Sequence, residues 1–265
     1  MTELKKQAYR NFFIYYATEP LDPDALVRNF LKANTITGKG RGGIKIFDID
    51  SGRVVSRKYL HGGLLRAITR DVFWNGKRAV DEMETLLYLE ENGFPVVHPH
   101  AVLVEKGVMP KNLFIITRYI EHGTDLLDFI RTSSDKERRK IIVKMARLFR
   151  DLEILGVYHP DLHPNNVIVT PAKELIFLDF DKAKVRALTV KDMENMFWRL
   201  NRYIEKWEQK GLIRITDMEK ELFLRACGRL SGRDMRPIMS KKTRAKRLTG
   251  RIGWFIESLF YGEGK

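Results

Sequence analysis

The sequence predicts a bilobal α+β fold, with a small β-rich N-terminal lobe and a mostly helical C-terminal lobe. Short apolar runs bounded by turn residues dominate the chain up to Tyr119, and long amphipathic helical patterns follow it. A chain of 265 residues is long enough for two modest lobes with a sizeable core. We place the lobes at residues 1–118 and 119–265, joined by a hinge near 118–123.

The N-terminal lobe is predicted to contain a capped helix, a hairpin and a second helix. Asp22 and Pro23 indicate a helix start, because Asp is a favoured N-cap and Pro suits the first helical position. A turn at 50–52 joins two strand patterns, and Gly93 ends a helical pattern that begins near Ala79. The predicted strands of this lobe are 44–47, 54–59 and 113–117.

The C-terminal lobe is predicted to begin with an amphipathic helix at 135–155, which Gly156 ends at the C′ position. Two short strands at 166–169 and 175–178 follow, and a turn joins them. From Val190 the pattern is helical to the end of the sequence.

Composition excludes several classes of protein. Apolar residues make up 44% and charged residues 31%, as in globular proteins, so wholesale disorder is excluded. Cys227 is the only cysteine, which excludes a disulfide scaffold and suits a reducing cytosol. The sequence shows neither a signal-peptide pattern nor an apolar run long enough for a membrane span.

The net charge of +14 predicts an anionic partner, such as anionic lipid or a phosphorylated substrate. Nucleic acid would also fit this charge, but the sequence has no zinc-finger, RNP or basic-zipper pattern. We therefore expect no nucleic-acid partner.

The chemistry-bearing motif is His159-Pro160-Asp161-Leu162-His163-Pro164-Asn165-Asn166, followed by Asp179-Phe180-Asp181. Phosphoryl transfer uses one carboxylate that accepts the proton of the attacking hydroxyl, and an amide and a second carboxylate that hold Mg²⁺. Asp161, Asn166 and Asp179 can supply these groups. Asn166 and Asp179 follow Asp161 by 5 and 18 residues, which resembles the protein-kinase-like catalytic core and its fold. A surface loop with chance acids is the alternative.

Lys58 is the candidate for the strand lysine that binds the α- and β-phosphates of ATP, with a helix glutamate as its ion-pair partner. Glu82 is preferred over Glu84 for this partner, and the two lie on different faces of the predicted helix. The alternative for Lys58 is an ordinary solvated strand residue.

Gly38, Gly40 and Gly43 form a G-x-G-x-x-G pattern. A strand follows it and not a helix, which argues against a Rossmann dinucleotide site. The pattern fits a loop that covers nucleotide phosphates with backbone N–H groups, and a basic loop without this role is the alternative.

These motifs together resemble the lipopolysaccharide kinase family, in particular the 3-deoxy-D-manno-octulosonic acid (Kdo) kinases. Segments 58–65 and 70–76 resemble the family's link between strand lysine and helix, and segment 93–99 continues the similarity. Asp181, which replaces the usual kinase glycine, is also like this family. Pro160 stands where protein kinases have an arginine, and no A-P-E follows, so regulation by loop phosphorylation is not expected.

The resemblance, which spans roughly residues 13–207, implies an enzyme that uses ATP and Mg²⁺ to phosphorylate Kdo, at the 4-OH in that family. It implies Kdo-lipid A or a related anionic glycolipid as partner. It also implies a cytoplasmic protein bound peripherally to the inner membrane, and we expect a monomer.

Three other functions stay open on the sequence. A lipopolysaccharide heptose kinase would share the substrate charge and location. An aminoglycoside- or choline-type phosphotransferase would use the same loop, but such enzymes bind cationic acceptors, which a charge of +14 disfavours. A pseudokinase scaffold at the membrane is the alternative that is not an enzyme.

The C-terminal segment combines a basic run with an apolar helical face. Such a segment suits an interfacial membrane anchor, and a final helix packed on the helical lobe is the alternative. The cations are Lys241, Lys242, Arg244, Lys246, Arg247 and Arg251, and the apolar face comprises Leu248, Ile252, Phe255 and Leu259.

Overall fold

The computed structural model of the chain describes residues 3–17, 21–36, 43–60, 73, 75–107, 112–230 and 233–234. These residues form a mixed structure of helices and mainly antiparallel strands, which confirms the α+β class. The chain divides into two compact units. The first comprises Met1–Asp125 and Asn166–Lys184, and the second comprises Leu126–Asn165 and Val185–Lys265.

This division differs from the predicted boundary between residues 118 and 119. Strand pairing explains the difference, because Ile168 lies opposite Asp125 and Val169 lies opposite Thr124 in an antiparallel ladder. The ladder ties residues 166–184 to the first unit, although the predicted C-terminal lobe contained them.

The first unit is built on a seven-stranded antiparallel sheet with the order β1-β2-β6-β7-β5-β4-β3. Its strands are β1 (Lys5–Tyr9), β2 (Phe12–Tyr16), β3 (Thr35–Ile36), β4 (Ile44–Ile49), β5 (Gly52–Lys58), β6 (Pro99–Glu105) and β7 (Leu113–Arg118). The β1–β2 hairpin and β6 were not predicted from the sequence. β4, β5 and β7 lie where strands were predicted.

Helix α1 (Pro23–Lys32) packs against one face of this sheet. Asp22 caps the helix, since its side chain accepts a hydrogen bond of 2.9 Å from the Asp24 N–H. The buried cluster between helix and sheet includes Leu26, Val27 and Phe30 of the helix and Val54, Leu103 and Ile116 of the strands. Helix α2 (Lys77–Glu91) packs against β6 and β7 and carries the buried residues Met83 and Leu86.

A second, smaller sheet in the first unit contains the segment that follows the loop at 159–166. It comprises β8 (Thr124–Asp125), β10 (Val167–Val169) and β11 (Leu175–Phe177), in the order β11-β10-β8. Val167 lies opposite Phe177 in the β10–β11 hairpin. The residues just outside this pair, Asn166 and Leu178, continue the ladder, with the Leu178 N–H donating to the Asn166 carbonyl at 2.8 Å.

The second unit is mainly helical. Ser134, Thr189 and Thr216 begin three of its helices with capping boxes, which satisfy the first free N–H groups of each helix. Its helices are α3 (Leu126–Thr132), α4 (Asp135–Ile154), α5 (Val190–Gln209) and α6 (Asp217–Cys227), and its short strands are β9 (Val157–Tyr158), β13 (Arg229–Leu230) and β14 (Arg233–Asp234), with β12 (Lys184–Val185) at the boundary.

An aromatic cluster joins three of these helices. The ring of Phe149 from α4 lies with its centroid 4.3 Å from that of Phe197 on α5, and Phe223 on α6 contacts both rings edge-on. A buried ion pair of 3.0 Å between Arg138 and Glu219 further connects α4 to α6. The long first helix was predicted correctly, but the continuous helical pattern after Val190 was not, because residues 210–216 and the β13–β14 hairpin interrupt it.

No helix in the described ranges is long and apolar enough to cross a membrane.

Gly156 ends α4 in the left-handed conformation, with φ of +66°, as its position in the sequence predicted. A Cβ atom there would lie 2.9 Å from the carbonyl oxygen of Arg186, whose N–H donates to the Gly156 carbonyl at 2.7 Å. Gly211 has nearly the same φ, +67°, but open space around it. The two glycines therefore separate the cost of backbone conformation from the cost of steric overlap.

We expect Gly211→Ala to lower the free energy of unfolding by about 1–2 kcal/mol, the cost of left-handed backbone for a residue with a Cβ. Gly156→Ala should lose about 1–3 kcal/mol more, because the new methyl group overlaps backbone that cannot rotate away. Urea denaturation of both variants checks this. Equal losses would contradict the close approach of Gly156 to Arg186.

Candidate active site

Strand β5 presents neighbouring basic side chains on opposite faces of the sheet. Arg57 lies opposite Ile115 in the β5–β7 ladder, whereas Lys58 lies opposite Phe114. Phe114 packs on the cluster under α1, and Lys58 therefore shares the face that α1 covers. Because side chains alternate along a strand, Arg57 lies on the other face, where α2 packs.

The helix glutamate pairs with this arginine. The Nη2 of Arg57 donates to both carboxylate oxygens of Glu82, at 2.7 and 2.9 Å. The same nitrogen lies 3.2 Å from Oδ1 of Asp179. The predicted Lys58–Glu82 ion pair is therefore wrong, and the structure forms Arg57–Glu82 in its place. Of the two candidate glutamates, Glu82 and not Glu84 occupies the ion pair.

The Glu82 carboxylate is almost completely buried, with 1% of its side chain exposed. Tyr59, also buried, donates its hydroxyl to Oε2 of Glu82. Burial raises the pKa of Glu82 to about 7, although Arg57 opposes the shift. Burial and the nearby Glu82 raise the pKa of Tyr59. Burial lowers the pKa of Arg57, but Glu82 and Asp179 outweigh it and keep the guanidinium charged.

A second arginine binds Asp181, at the other end of the acidic triplet Asp179-Phe180-Asp181. Arg78, at the start of α2, donates through Nε to Oδ1 of Asp181 at 2.7 Å and through Nη2 to Oδ2. Its guanidinium also lies 5.4 Å from the centroid of the Tyr59 ring and 5.3 Å from that of Phe73. This forked geometry holds a carboxylate in one orientation. Asp179 and Asp181 are thus bound by two arginines, one from the strand and one from the helix.

Asp179 and Asn166 lie at the same end of the β10–β11 hairpin. The hydrogen bond from Leu178 to Asn166 places these residues on neighbouring strands, one position from Asp179. Asp179 has a positive φ of 53°, uncommon for a residue other than glycine, and its Oδ1 lies 3.4 Å from the Asp181 N–H. Phe180 between the two acids is fully buried. The backbone that presents the Asp179 carboxylate is therefore held by the packing of its neighbour.

Asn166 and Asp179 fit a magnesium site in which substrate phosphates supply the remaining ligands. Mg²⁺ in kinase sites takes one or two protein oxygens, with phosphate and water supplying the rest. Asn166 offers an amide oxygen and Asp179 a carboxylate, beside one another on the hairpin. Within the described ranges, no group of three or more His, Cys, Asp and Glu side chains could hold a metal.

Asp161 lies in the second unit, where α5 supplies its partner. Arg199 donates through Nε to Oδ1 of Asp161 at 2.7 Å, and its Nη2 donates to the same oxygen. His159 is fully buried, and its Nδ1 accepts a hydrogen bond of 3.4 Å from the Asp161 N–H. His159 therefore contacts the backbone of the loop from inside the protein.

The glycine-rich pattern is only partly visible. Gly38 and Gly40 lie outside the described residues, whereas Gly43 precedes β4 with a φ of +66°. The basic C-terminal segment from residue 235 also lies outside them.

Three arginines of the site were missed by the sequence reasoning. For Arg57 a signal was present, because Val54-Val55-Ser56-Arg57 has the V-x-x-basic spacing of the kinase strand motif with Arg in place of Lys. Arg78 and Arg199 had no such signal, since each becomes part of the site only through contacts made across more than 35 residues of sequence.

A strand cation paired with a buried helix glutamate, beside an acidic triplet that follows an H-x-D-x-x-x-x-N loop, defines a protein of the kinase class. Comparison with known proteins agrees. The family model described as "Lipopolysaccharide kinase (Kdo/WaaP) family" matches residues 32–226. The chain therefore belongs to the lipopolysaccharide kinase (Kdo/WaaP) family and is a kinase.

Individual relatives support the same assignment. The chain is 30% identical to a 3-deoxy-D-manno-octulosonic acid kinase of Xylella fastidiosa over 181 residues, 66% of this chain and 71% of the relative. It is 30% identical to an enzyme of the same name from Actinobacillus succinogenes over 194 residues, 68% of this chain and 79% of the relative. A third, from Vibrio parahaemolyticus, is 24% identical over 172 residues, 63% of this chain and 71% of the relative.

We expect Arg57→Met to lower the free energy of unfolding by about 3–5 kcal/mol, because it leaves the buried Glu82 carboxylate without its cation. Lys58→Met, on the opposite face of the same strand, should change it by less than about 0.5 kcal/mol. Chemical denaturation measures both. Adding Glu82→Gln to Arg57→Met should recover part of the loss. A loss in Lys58→Met as large as that in Arg57→Met would contradict the pairing.

The raised pKa of Glu82 predicts a pH-dependent stability. The folded value of about 7 lies above the ordinary value of 4.5, so the folded state favours the neutral acid. This stabilisation is complete below pH about 4.5 and is lost as the pH rises through about 7. We expect the stability of wild type relative to Glu82→Gln to fall across this window, as measured by urea denaturation at pH 5, 6, 7 and 8. A difference that rises with pH would mean the burial term does not dominate. Glu84→Gln, on the same helix, is the control and should follow wild type.

Proposed function

We propose that the chain transfers the γ-phosphoryl group of ATP to a hydroxyl, by resemblance the 4-OH, of Kdo on lipid A. The observation that carries this proposal is the ion pair of Arg57 with the buried Glu82 carboxylate, with Asp179 on the same guanidinium. Kinases need this strand–helix pair to place the phosphates of ATP, and a scaffold without activity would have no use for its cost in desolvation. We therefore assign to Arg57 the phosphate-binding role first given to Lys58.

Asn166 and Asp179 would hold Mg²⁺ on the phosphates, and the ion would neutralise charge on the transferring group. Arg57 fixes the Asp179 carboxylate by its 3.2 Å contact, and Arg78 fixes Asp181 two residues later. Gly38, Gly40 and Gly43 keep their proposed role in covering the phosphates. The positions of Arg57 and Arg78 support this assignment because their ion pairs orient Asp179 and Asp181.

Asp161 would accept the proton of the attacking sugar hydroxyl. Its side chain is 52% exposed, so a hydroxyl can approach the carboxylate. Both printed donors of Arg199, Nε and Nη2, bind the same carboxylate oxygen of Asp161, Oδ1. The role fits a general base, which acts through one oxygen within hydrogen-bond reach of the hydroxyl.

The proposed acceptor rests on family and charge. The relatives from Xylella fastidiosa and Actinobacillus succinogenes are named as kinases of Kdo. A net charge of +14 also suits an acidic sugar on a phosphorylated lipid. We propose that the chain acts at the cytoplasmic face of the inner membrane, with the basic segment 241–251 drawn to anionic lipid. A lipopolysaccharide heptose kinase is the second candidate, because the family shown is that of the lipopolysaccharide kinases and such an enzyme would share the substrate charge and location.

One panel assay separates these possibilities. Full-length protein, labelled ATP and Mg²⁺ are offered Kdo-lipid A, heptosylated lipid A, an aminoglycoside, choline and a generic protein. Transfer to Kdo-lipid A alone supports the proposal, and EDTA should stop it. Preferred transfer to the heptosylated acceptor would move the assignment to a heptose kinase. No transfer to any acceptor would favour the scaffold.

Asp161→Asn should reduce kcat on the preferred acceptor by about 10²–10⁴-fold, because general-base catalysis is worth that much. The KM for Mg·ATP should change little, since Asp161 is not proposed to contact the nucleotide. Steady-state kinetics with ATP varied measures both values. Asp151→Asn, on α4 of the same unit, is the control and should keep wild-type turnover. A kcat near wild type in Asp161→Asn would remove Asp161 from the mechanism.

A further inference from the structure

Arg199 holds the proposed general base with only one edge of its guanidinium. Its Nε donates to Oδ1 of Asp161 at 2.7 Å, and Nη2 donates to the same oxygen. A guanidinium carries five N–H donors, so this contact uses two of them. The described residues provide no hydrogen-bond acceptor for the other three, which include both donors of Nη1. The edge formed by Nη1 and Nη2 is therefore available to a second anion.

This edge is held in a fixed orientation by a stack of planar groups. The guanidinium lies over the ring of Tyr203, with 5.3 Å to the centroid. Tyr203 stacks in turn on His163, with centroids 4.2 Å apart and planes 16° from parallel. Tyr203 is one helical turn beyond Arg199 on α5, and His163 lies two residues after Asp161 in the loop. Arg199 is thus oriented at its edge by Asp161 of the loop and at its face by Tyr203, on which the loop residue His163 stacks.

The Arg199–Asp161 pair does not serve stability. The two side chains are 31% and 52% exposed, and exposed ion pairs contribute at most about 1 kcal/mol. The core of α5 consists of other residues, among them Met196, Phe197 and Leu200. An oriented, partly exposed guanidinium beside a catalytic carboxylate is better explained by a ligand.

We propose that Arg199 binds the carboxylate of the acceptor sugar through its Nη1–Nη2 edge while its Nε–Nη2 edge keeps Asp161 in place. The inference rests on the proposed function, since Kdo is a sugar acid. The planar fork of a guanidinium matches the two oxygens of a carboxylate, and such a bidentate contact fixes distance and rotation together. Arg199 then links the position of the acceptor to that of its base, and it makes the enzyme specific for an acidic sugar.

The test combines the removal of the arginine in the protein with the removal of the carboxylate in the acceptor. Wild type, Arg199→Gln and the control Arg202→Gln are assayed with Kdo-lipid A and with the same acceptor carrying a carboxamide at C1. A charge-assisted contact contributes about 1.5–3 kcal/mol, so wild type should show an acceptor KM about 10–150-fold higher for the amide. Arg199→Gln should show a similarly high KM for both acceptors. Arg202→Gln, which lies over the Trp198 ring one turn further along α5, should discriminate as wild type does.

Two outcomes would overturn the inference. Arg199→Gln could keep the wild-type preference for the acid, which would mean that another residue binds the carboxylate. It could instead lose kcat equally with both acceptors and keep both KM values, which would make Arg199 a positioning residue for Asp161 alone. Arg199→Lys, which keeps the charge without the fork, should recover part of the preference for the acid.

A binding measurement separates failure of this inference from failure of the proposed function. Calorimetric titration uses the methyl glycoside of Kdo and its C1 amide, without ATP. Stronger binding of the acid by wild type, lost in Arg199→Gln, supports the carboxylate site even if no phosphate is transferred to Kdo-lipid A. Equal binding of acid and amide by wild type would refute it, even if transfer to Kdo-lipid A is found.

Discussion

The first unit depends on one buried carboxylate, that of Glu82. A charged group taken out of water is costly unless cations and hydrogen bonds surround it, and the protein provides Arg57 and the Tyr59 hydroxyl. Arg57 in turn contacts Asp179, so the strand, the helix and the acidic triplet are held by one set of charges. A change in any of these three elements therefore alters the positions of Asp179 and Arg57, which are proposed to bind metal and phosphate.

Arginine in place of lysine on the strand has a physical consequence. A lysine ammonium would be a single point charge between Glu82 and Asp179, whereas a guanidinium is planar and stays protonated in proteins. Here one Nη2 faces two carboxylates, and the ring of Tyr59 lies 5.0 Å from the guanidinium carbon. Arg78 likewise binds a carboxylate, that of Asp181, and its guanidinium also lies over the Tyr59 ring. The acidic triplet is therefore positioned by the ion pairs of Asp179 with Arg57 and of Asp181 with Arg78.

In the second unit another arginine binds another carboxylate with a different geometry. Arg57 directs one nitrogen at both oxygens of Glu82, whereas Arg199 directs two nitrogens at one oxygen of Asp161. Burial distinguishes their roles. The two arginines are similarly exposed, but the Glu82 side chain is 1% exposed and that of Asp161 is 52% exposed. Removing Arg57 therefore leaves a charge in a dry environment, whereas the Asp161 pair can be broken with little loss of free energy.

The sequence by itself determined the elements whose signals are local. The Asp22 cap, the turn at 50–52, the helix before Gly156 and the hairpin that follows Asn166 were predicted correctly, because caps, turns and amphipathic patterns depend on near neighbours. The sequence also indicated Glu82 as the helix residue of an ion pair, but with Lys58 as its partner. Only the tertiary structure decided that Arg57 is the partner, since a shift of one residue along a strand moves a side chain to the other face. Arg78 and Arg199 likewise reach their aspartates across 103 and 38 residues, and such contacts follow from packing, which no local pattern encodes.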